Sequence, residues 1–253
     1  MQLDLARYPA RVWRGVVDLL TPSQCLACHV PLDEPASLCV ACWSKLNHID
    51  DPVCNVMGTP FAYDQGMYAV SAAALADPPS WDRSRAAVAF DEASRPLVHA
   101  LKYRDTQEAG LLMARMMARA GRELIAGADV IIPVPLYRWR LWKRRFNQSG
   151  FLAQQIGRLS GKPYRPGLLV RQRATRTQVG LNQSERRRNV RGAFLVPPES
   201  SAIIAGKTVL LVDDVRTTGA TLDACARTLM DSGAAQVDVL SFALVLEPTR
   251  LHI

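Results

Sequence analysis

Residues 209–221 read Val-Leu-Leu-Val-Asp-Asp-Val-Arg-Thr-Thr-Gly-Ala-Thr, and this string constrains the fold more than any other part of the chain. Its apolar start, β-branched at both ends, has the character of a strand buried on both faces of a sheet. The strand delivers Asp213 and Asp214 to its C-terminal edge, where open α/β sheets bind their ligands. Thr217, Thr218, Gly219, Ala220 and Thr221 then offer hydroxyls and backbone N–H groups at the start of a helix, where the dipole favours an anion. At Gly219 a Cβ would hold the backbone away from a phosphate oxygen. The two carboxylates cannot attract phosphate, but they accept hydrogen bonds from vicinal ribose hydroxyls and orient a magnesium shell around diphosphate. One loop thus suits a sugar 5-phosphate together with its hydroxyls. An acidic N-cap on an ordinary helix would explain single residues of the string, not the whole order.

Around this loop, apolar runs alternate with segments of helical period. Ala86 to Phe90 reads as a strand, 93–103 and 107–126 as helices, Val130 to Val134 as a buried strand, and 147–160 as a helix. Short strands follow at 167–171 and 193–196, then a central strand at 207–213, a helix at 217–233 and a last strand at 235–246. The alternation predicts an α/β fold with a mainly parallel sheet covered by helices. At 253 residues the chain has room for one large core with a small satellite. Pro78 and Pro79 lie in a turn-rich stretch, 74–83, read as a linker. The expected division is an N-terminal helix at 1–22, a small cysteine module at 23–73 and the α/β domain at 84–253.

The module is defined by Cys25-x-x-Cys28 and, ten residues on, Cys39-x-x-Cys42. Two residues between thiolates let one turn bring both to an ion at about 2.3 Å, and two such knuckles complete a tetrahedron around zinc. Two disulfides are the competing reading, disfavoured in a reducing compartment, and a cytoplasmic location is expected from the lack of an export signal. Cys54 opens a third knuckle in which Met57 stands where a second cysteine would be, and a thioether is a poor zinc ligand. Four thiolates leave no open coordination position, so the zinc is structural, contributing roughly 10 kcal/mol or more to folding. His29 and His48 lie near the cysteines without being needed. Cys225 reads as a small buried residue of the helix after the loop.

Charge is unevenly spread. Residues 138–191 hold fifteen Lys and Arg against one acid, Glu185, a segment charge of +14 within a chain of +8. Such a concentration suits a phosphate-rich partner, and arginine forks match phosphate oxygens in pairs; a solvated basic face is the plainer reading. Trp139 and Trp142 stand among Arg138, Arg140, Lys143 and Arg144, an arrangement able to stack bases in a charged groove or to pack inward. No uncharged apolar run reaches the roughly 18 residues of a membrane span. Arg7, Arg11, Arg14 and Asp18 interrupt the N-terminal stretch.

The 209–221 string resembles the signature of type I phosphoribosyltransferases. The wider pattern resembles the ComF/GntX family of competence-associated proteins, with a double zinc ribbon ahead of the transferase domain. It is carried by LKYRD at 101–105, IIPVPLYRWRLWKRRFNQ at 131–148, RQRATRTQVGLNQSERRRNVRGAF at 171–194 and the cysteine module. Two positions depart from the family pattern: Met57, in place of a last cysteine, and Arg145, in place of a glycine.

The resemblance implies phosphoribosyl diphosphate with magnesium as ligand. It implies Asp213 and Asp214 as the catalytic pair, with Val215, Arg216, Thr217, Thr218, Gly219, Ala220 and Thr221 on the substrate. Lys102, Pro135, Arg144, Asn147, Gln148, Gln178 and Arg186 are implied as further substrate contacts, and Cys25, Cys28, Cys39 and Cys42 as zinc ligands. Pro135 follows a strand that must stop at its prolines; Asn147 serves equally well as a helix cap. Residues 172–192, polar and without period, read as a mobile loop able to close on an anion. The function implied is a role in DNA uptake, with single-stranded DNA and other uptake proteins as partners. The other reading is an active transferase of nucleotide or base salvage, and no residue stands out as a reader of the acceptor.

Overall fold

The computed structural model describes residues 23–66, 68–103, 107–137, 147–174 and 183–246. The expected helix at 1–22 lies outside the described residues. Along the chain, α1 (Val40–Trp43) and α2 (Ala72–Ala76) belong to the cysteine module. Then follow β1 (Arg83–Ala89), α3 (Arg95–Tyr103), α4 (Gln107–Ala120), α5 (Arg122–Gly127), β2 (Val130–Pro133), α6 (Gln148–Ser160) and the short β3 (Val170–Arg171). The chain continues through α7 (Gln183–Val190), β4 (Phe194–Leu195), α8 (Pro198–Ile204), β5 (Thr208–Arg216), α9 (Ala220–Asp231) and β6 (Gln236–Leu244).

The main sheet is parallel, in the order β1-β6-β5-β2, and β3 pairs with β4 in a separate antiparallel ribbon. β5 occupies an interior position because its apolar run serves both faces. Leu210 and Val212 join Ile131, Leu240 and Phe242 on one side, under Leu97 of α3, Met113 of α4 and Leu152 of α6. Val209 and Leu211 point the other way, with Ile132, Val237 and Val239, against α9. There Leu222, Cys225, Ala226 and Leu229 recur at helical spacing, all nearly inaccessible, so Cys225 is the buried small residue its neighbours implied.

Three differences from the sequence reading have local causes. β5 runs past Asp213 to Arg216 because Val215 and Arg216 keep their register with Ala243 and Leu244 of β6, although the acids look like the start of a loop. Within 172–192, read as irregular, residues 183–190 are helical. α7 has almost no apolar face beyond buried Val190, and its end is held by Arg173 donating to the carbonyls of Asn189 and Arg191. The linker stretch is well anchored too: Ser80 N–H donates to Asp223, and Asp82 exchanges hydrogen bonds with Val237. Buried Trp81 donates its indole N–H to Val56 of the cysteine module at 3.0 Å.

Candidate functional site

At the C-terminal end of β5 the two carboxylates have distinct surroundings. Asp213 Oδ1 accepts from Ser149 Oγ at 2.8 Å and from the Asp214 N–H at 2.9 Å. Asp214 holds Lys102 Nζ at 2.8 Å and accepts from the Val215 N–H. Burial, reinforced by the Asp214 carboxylate, pushes Asp213 up to about 7, against the pull of the Ser149 hydroxyl, the Asp214 N–H and Lys102. Asp213 is therefore poised to exchange a proton near neutrality, while Asp214 is ion-paired with Lys102. Lys102 reaches Asp214 because α3 ends beside the sheet edge, and its side chain is half-buried rather than an exposed helix-end lysine.

Beyond the acids, Thr217 and Thr218 are exposed and the chain turns at Gly219 into α9. Gly219 is the N-cap, with φ 77°, and a Cβ there would stand 2.7 Å from Trp81 Cη2. Both the left-handed backbone and the indole exclude other residues. Ala220, almost fully buried, opens α9, and Thr221 lies in its first turn, so hydroxyls and backbone N–H groups converge at a helix start.

Asn147 caps α6 by position rather than by side chain. Its Nδ2 lies 3.5 Å from the Val134 carbonyl, and its buried Oδ1 has no partner among the described residues. Gln148 begins α6 and is nearly inaccessible. Pro135 follows β2 and lines, with Asn147, Tyr137, Phe151 and Tyr164, an open cavity of about 940 Å³. Arg144 and Gln178 lie outside the described residues, as does the side chain of Arg186, whose backbone is in α7. Arg216 departs from the expected arrangement: its side chain, 2% exposed, leaves the edge that carries Asp213 and Asp214 and enters the cysteine module. Sequence reasoning missed Ser149, whose signal was a small polar residue one turn-position inside a helix beside the sheet edge. It also missed Trp81, the lone aromatic in a proline-marked stretch.

The four cysteines assemble as their spacing predicts. Cys25, Cys28, Cys39 and Cys42 place their sulfurs within 4.8 Å of one another, and Cys28 Sγ and Cys39 Sγ are 3.7 Å apart. A tetrahedron with bonds of about 2.3 Å has edges of about 3.8 Å, so the set fits a zinc ion, and no described cysteine is in a disulfide. Burial opposes ionisation of Cys25, yet N–H groups of Cys28, Cys39 and Ala27 outweigh it and bring the thiol down to about 6. The zinc is structural, since its four thiolate ligands close the coordination sphere.

Residues 16–73 match the family described as "Double zinc ribbon domain", and residues 152–251 the one described as "Phosphoribosyl transferase domain". The chain is 32% identical over 230 residues to the DNA utilization protein YhgH of Shigella flexneri, covering 87% of this chain and 96% of that one. It is 30% identical over 212 residues to competence protein F of Haemophilus influenzae, covering 81% and 90%. It is 26% identical over 215 residues to competence protein ComFC of Bacillus subtilis, covering 82% and 83%. Among solved structures, the allosteric regulatory enzyme of purine biosynthesis aligns at TM-score 0.36 and 26% identity, over 52% of this chain and 25% of that one. Orotate phosphoribosyltransferase from Aeropyrum pernix aligns at TM-score 0.32 and 19% identity, over 63% and 80%. With both domains matched in order and the relatives covered over nearly their whole length, the chain belongs to the ComF/GntX family of competence-associated proteins.

Proposed function

We propose that the α/β domain binds phosphoribosyl diphosphate, or a related sugar phosphate, with magnesium, and that the protein acts in the handling of DNA taken up by the cell. The observation that carries the ligand is the conjunction of Asp213, Asp214 and Lys102 with the Thr217–Thr221 turn at the start of α9. Thr217, Thr218 and Thr221 and the backbone N–H groups at the start of α9 hold the 5-phosphate, and the carboxylates accept from the ribose hydroxyls. Val215, by its N–H bond to Asp214, keeps that carboxylate in place. Lys102, already ion-paired with Asp214, is shared with the diphosphate when ligand enters. Magnesium, when bound, offsets diphosphate charge. Pro135, Asn147 and Gln148 shape the diphosphate side, and Arg144, Gln178 and Arg186 are assigned to it by resemblance.

The DNA part of the reading rests on the relatives' names and on the basic segment. The cytoplasmic placement is supported by thiols free to bind zinc; among the described residues no helix is long and apolar enough to cross a membrane. A calorimetric titration with phosphoribosyl diphosphate and magnesium tests the ligand: saturable binding is expected, lost in Asp214→Asn with the zinc retained. Full binding by that variant would overturn the site.

A second reading, a working transferase of base or nucleotide salvage, is favoured by the open cavity beside Asn147, whose aromatic lining by Tyr137, Phe151 and Tyr164 suits a flat acceptor. Transfer at C1 passes through a cation-like sugar, which the Asp213–Asp214 pair stabilises by position and charge. Diphosphate release on adding candidate bases or amines separates turnover from binding alone.

A further inference from the structure

The turn that carries the first cysteine knuckle occurs twice. In the first copy the Cys25 N–H donates to Val30, the His29 N–H to Cys25, and Gln24 bridges Pro31; in the second, Cys54 donates to Thr59, Gly58 to Cys54, and Val53 bridges Pro60. His29 and Gly58 share a left-handed backbone, at φ 62° and 60°. The return strand corresponds as well. Leu26 N–H reaches Ser37 and Asn55 N–H reaches Ala69. Cys39 N–H points at Cys25 Sγ (3.4 Å), and Ser71 N–H at Cys54 Sγ (3.2 Å). Cys39 and Ser71 each stand at the N-cap of a short helix, α1 and α2. Position by position, the ligands Cys25, Cys28, Cys39 and Cys42 correspond to Cys54, Met57, Ser71 and Ala74.

Only Cys54 in the second set offers a thiolate. A thioether, a hydroxyl held in a helix cap and a buried methyl group make no zinc site. The double ribbon has thus kept two folds and one set of metal ligands among its described residues. A ribbon without its ion needs another tie to hold it in place, and Arg216 supplies one. From the end of β5 its guanidinium donates to the Met57 carbonyl, inside the knuckle turn, and lies over the Trp81 ring at 5.7 Å. Trp81 in turn donates to Val56 and backs Gly219. Burial brings Arg216 down to about 10, which leaves it charged at neutral pH. This cation is buried two residues after the acid pair with its Nε unpartnered among the described residues, so the Met57 carbonyl and the Trp81 ring are what offset its lost water.

We propose that the second ribbon is metal-free and has become the seat of the sugar-phosphate loop, with Arg216 as the positioning residue that joins Met57 and Trp81 to the turn at Gly219. The proposal rests on the phosphate-loop reading given above. Arg216 touches no ligand. It fixes the strand end from which Thr217 and Thr218 emerge, so that ordering the ribbon and ordering the loop are one event.

Two measurements on the full chain test this. Zinc content of the purified protein is expected at one ion per chain, rising to two in Met57→Cys/Ser71→Cys/Ala74→Cys; two ions in the unaltered protein would overturn the metal-free assignment. Ribose 5-phosphate is then titrated by calorimetry. Arg216→Met is expected to weaken binding at least tenfold with one zinc retained, and Arg216→Lys to recover part of the loss. If Arg216→Met does not fold, Trp81→Phe replaces it, expected to weaken binding severalfold with one zinc retained. Unchanged affinity in a folded Arg216→Met or Trp81→Phe protein overturns the seat. No binding by the unaltered chain overturns the phosphate-loop reading instead, and the seat with it.

Discussion

Asp213 shows how much of the site depends on the surroundings of single residues. Two adjacent aspartates have the same sequence signal, yet one accepts from Ser149 and the other pairs with Lys102. A carboxyl raised to about 7 in the fold binds more protons folded than unfolded. Its stabilising contribution is therefore complete only below about pH 4 and is lost as the pH rises to 7. Asp213→Asn should accordingly raise the melting temperature by roughly 2–4 °C at pH 8 and by much less at pH 5. Equal shifts at both values would mean that Asp213 titrates normally. At Gly219, φ 77° and the indole at 2.7 Å from a built Cβ act together. Gly219→Ala should cost about 1–2 kcal/mol for the backbone alone, read as a drop in the urea midpoint, and weaken ribose 5-phosphate binding as well.

The elements show why some structure is legible in a chain and some is not. Strands buried on both faces and helices with an apolar stripe announce themselves, because burial imposes the period: Val209–Val212, Val130–Val134 and the Leu222–Leu229 stripe all follow this rule. α7 does not, since Gln183–Val190 is held at its end by Arg173 and by the single buried Val190 rather than by a stripe. α8 escaped notice for a related reason: seven residues starting at Pro198 bury little beyond Ser200 and Ile204. The acid pair and the Thr217–Thr221 turn could be read together because they are contiguous in the chain. Ser149 and Trp81 reach the site from distant elements, and no local period marks them. Where a stripe does exist its energetics follow: Leu229→Ala, at a position with no exposed surface, should cost about 2–5 kcal/mol in chemical denaturation. An effect below 1 kcal/mol would mean that α9 packs loosely on the sheet.

At the scale of the molecule the basic segment looks different once its arginines have places. Fifteen cations between 138 and 191 suggest a broad phosphate-binding surface, but several have internal tasks. Arg171 is buried and lies over the Phe194 ring at 5.3 Å, Arg173 closes the end of α7, and Lys162 donates to the Ala126 carbonyl. Arg188 and Arg191, at that same end of α7, are exposed, free to meet a polyanion without unfolding anything. Each phosphate neutralised on a single strand contributes about −0.7 to the slope of log affinity against log salt. Oligonucleotide binding by the unaltered chain should therefore weaken steeply with salt, and Arg188→Gln/Arg191→Gln should flatten the slope by about 1.4. Arg171→Gln, by contrast, removes a packed cation and should lower stability while leaving the slope unchanged. Filter binding between low and physiological salt separates the two outcomes. A slope unaffected by the α7 pair would move the nucleic-acid surface away from this face, whereas sugar-phosphate binding at Thr217–Thr221 should be the same in that variant and in the parent.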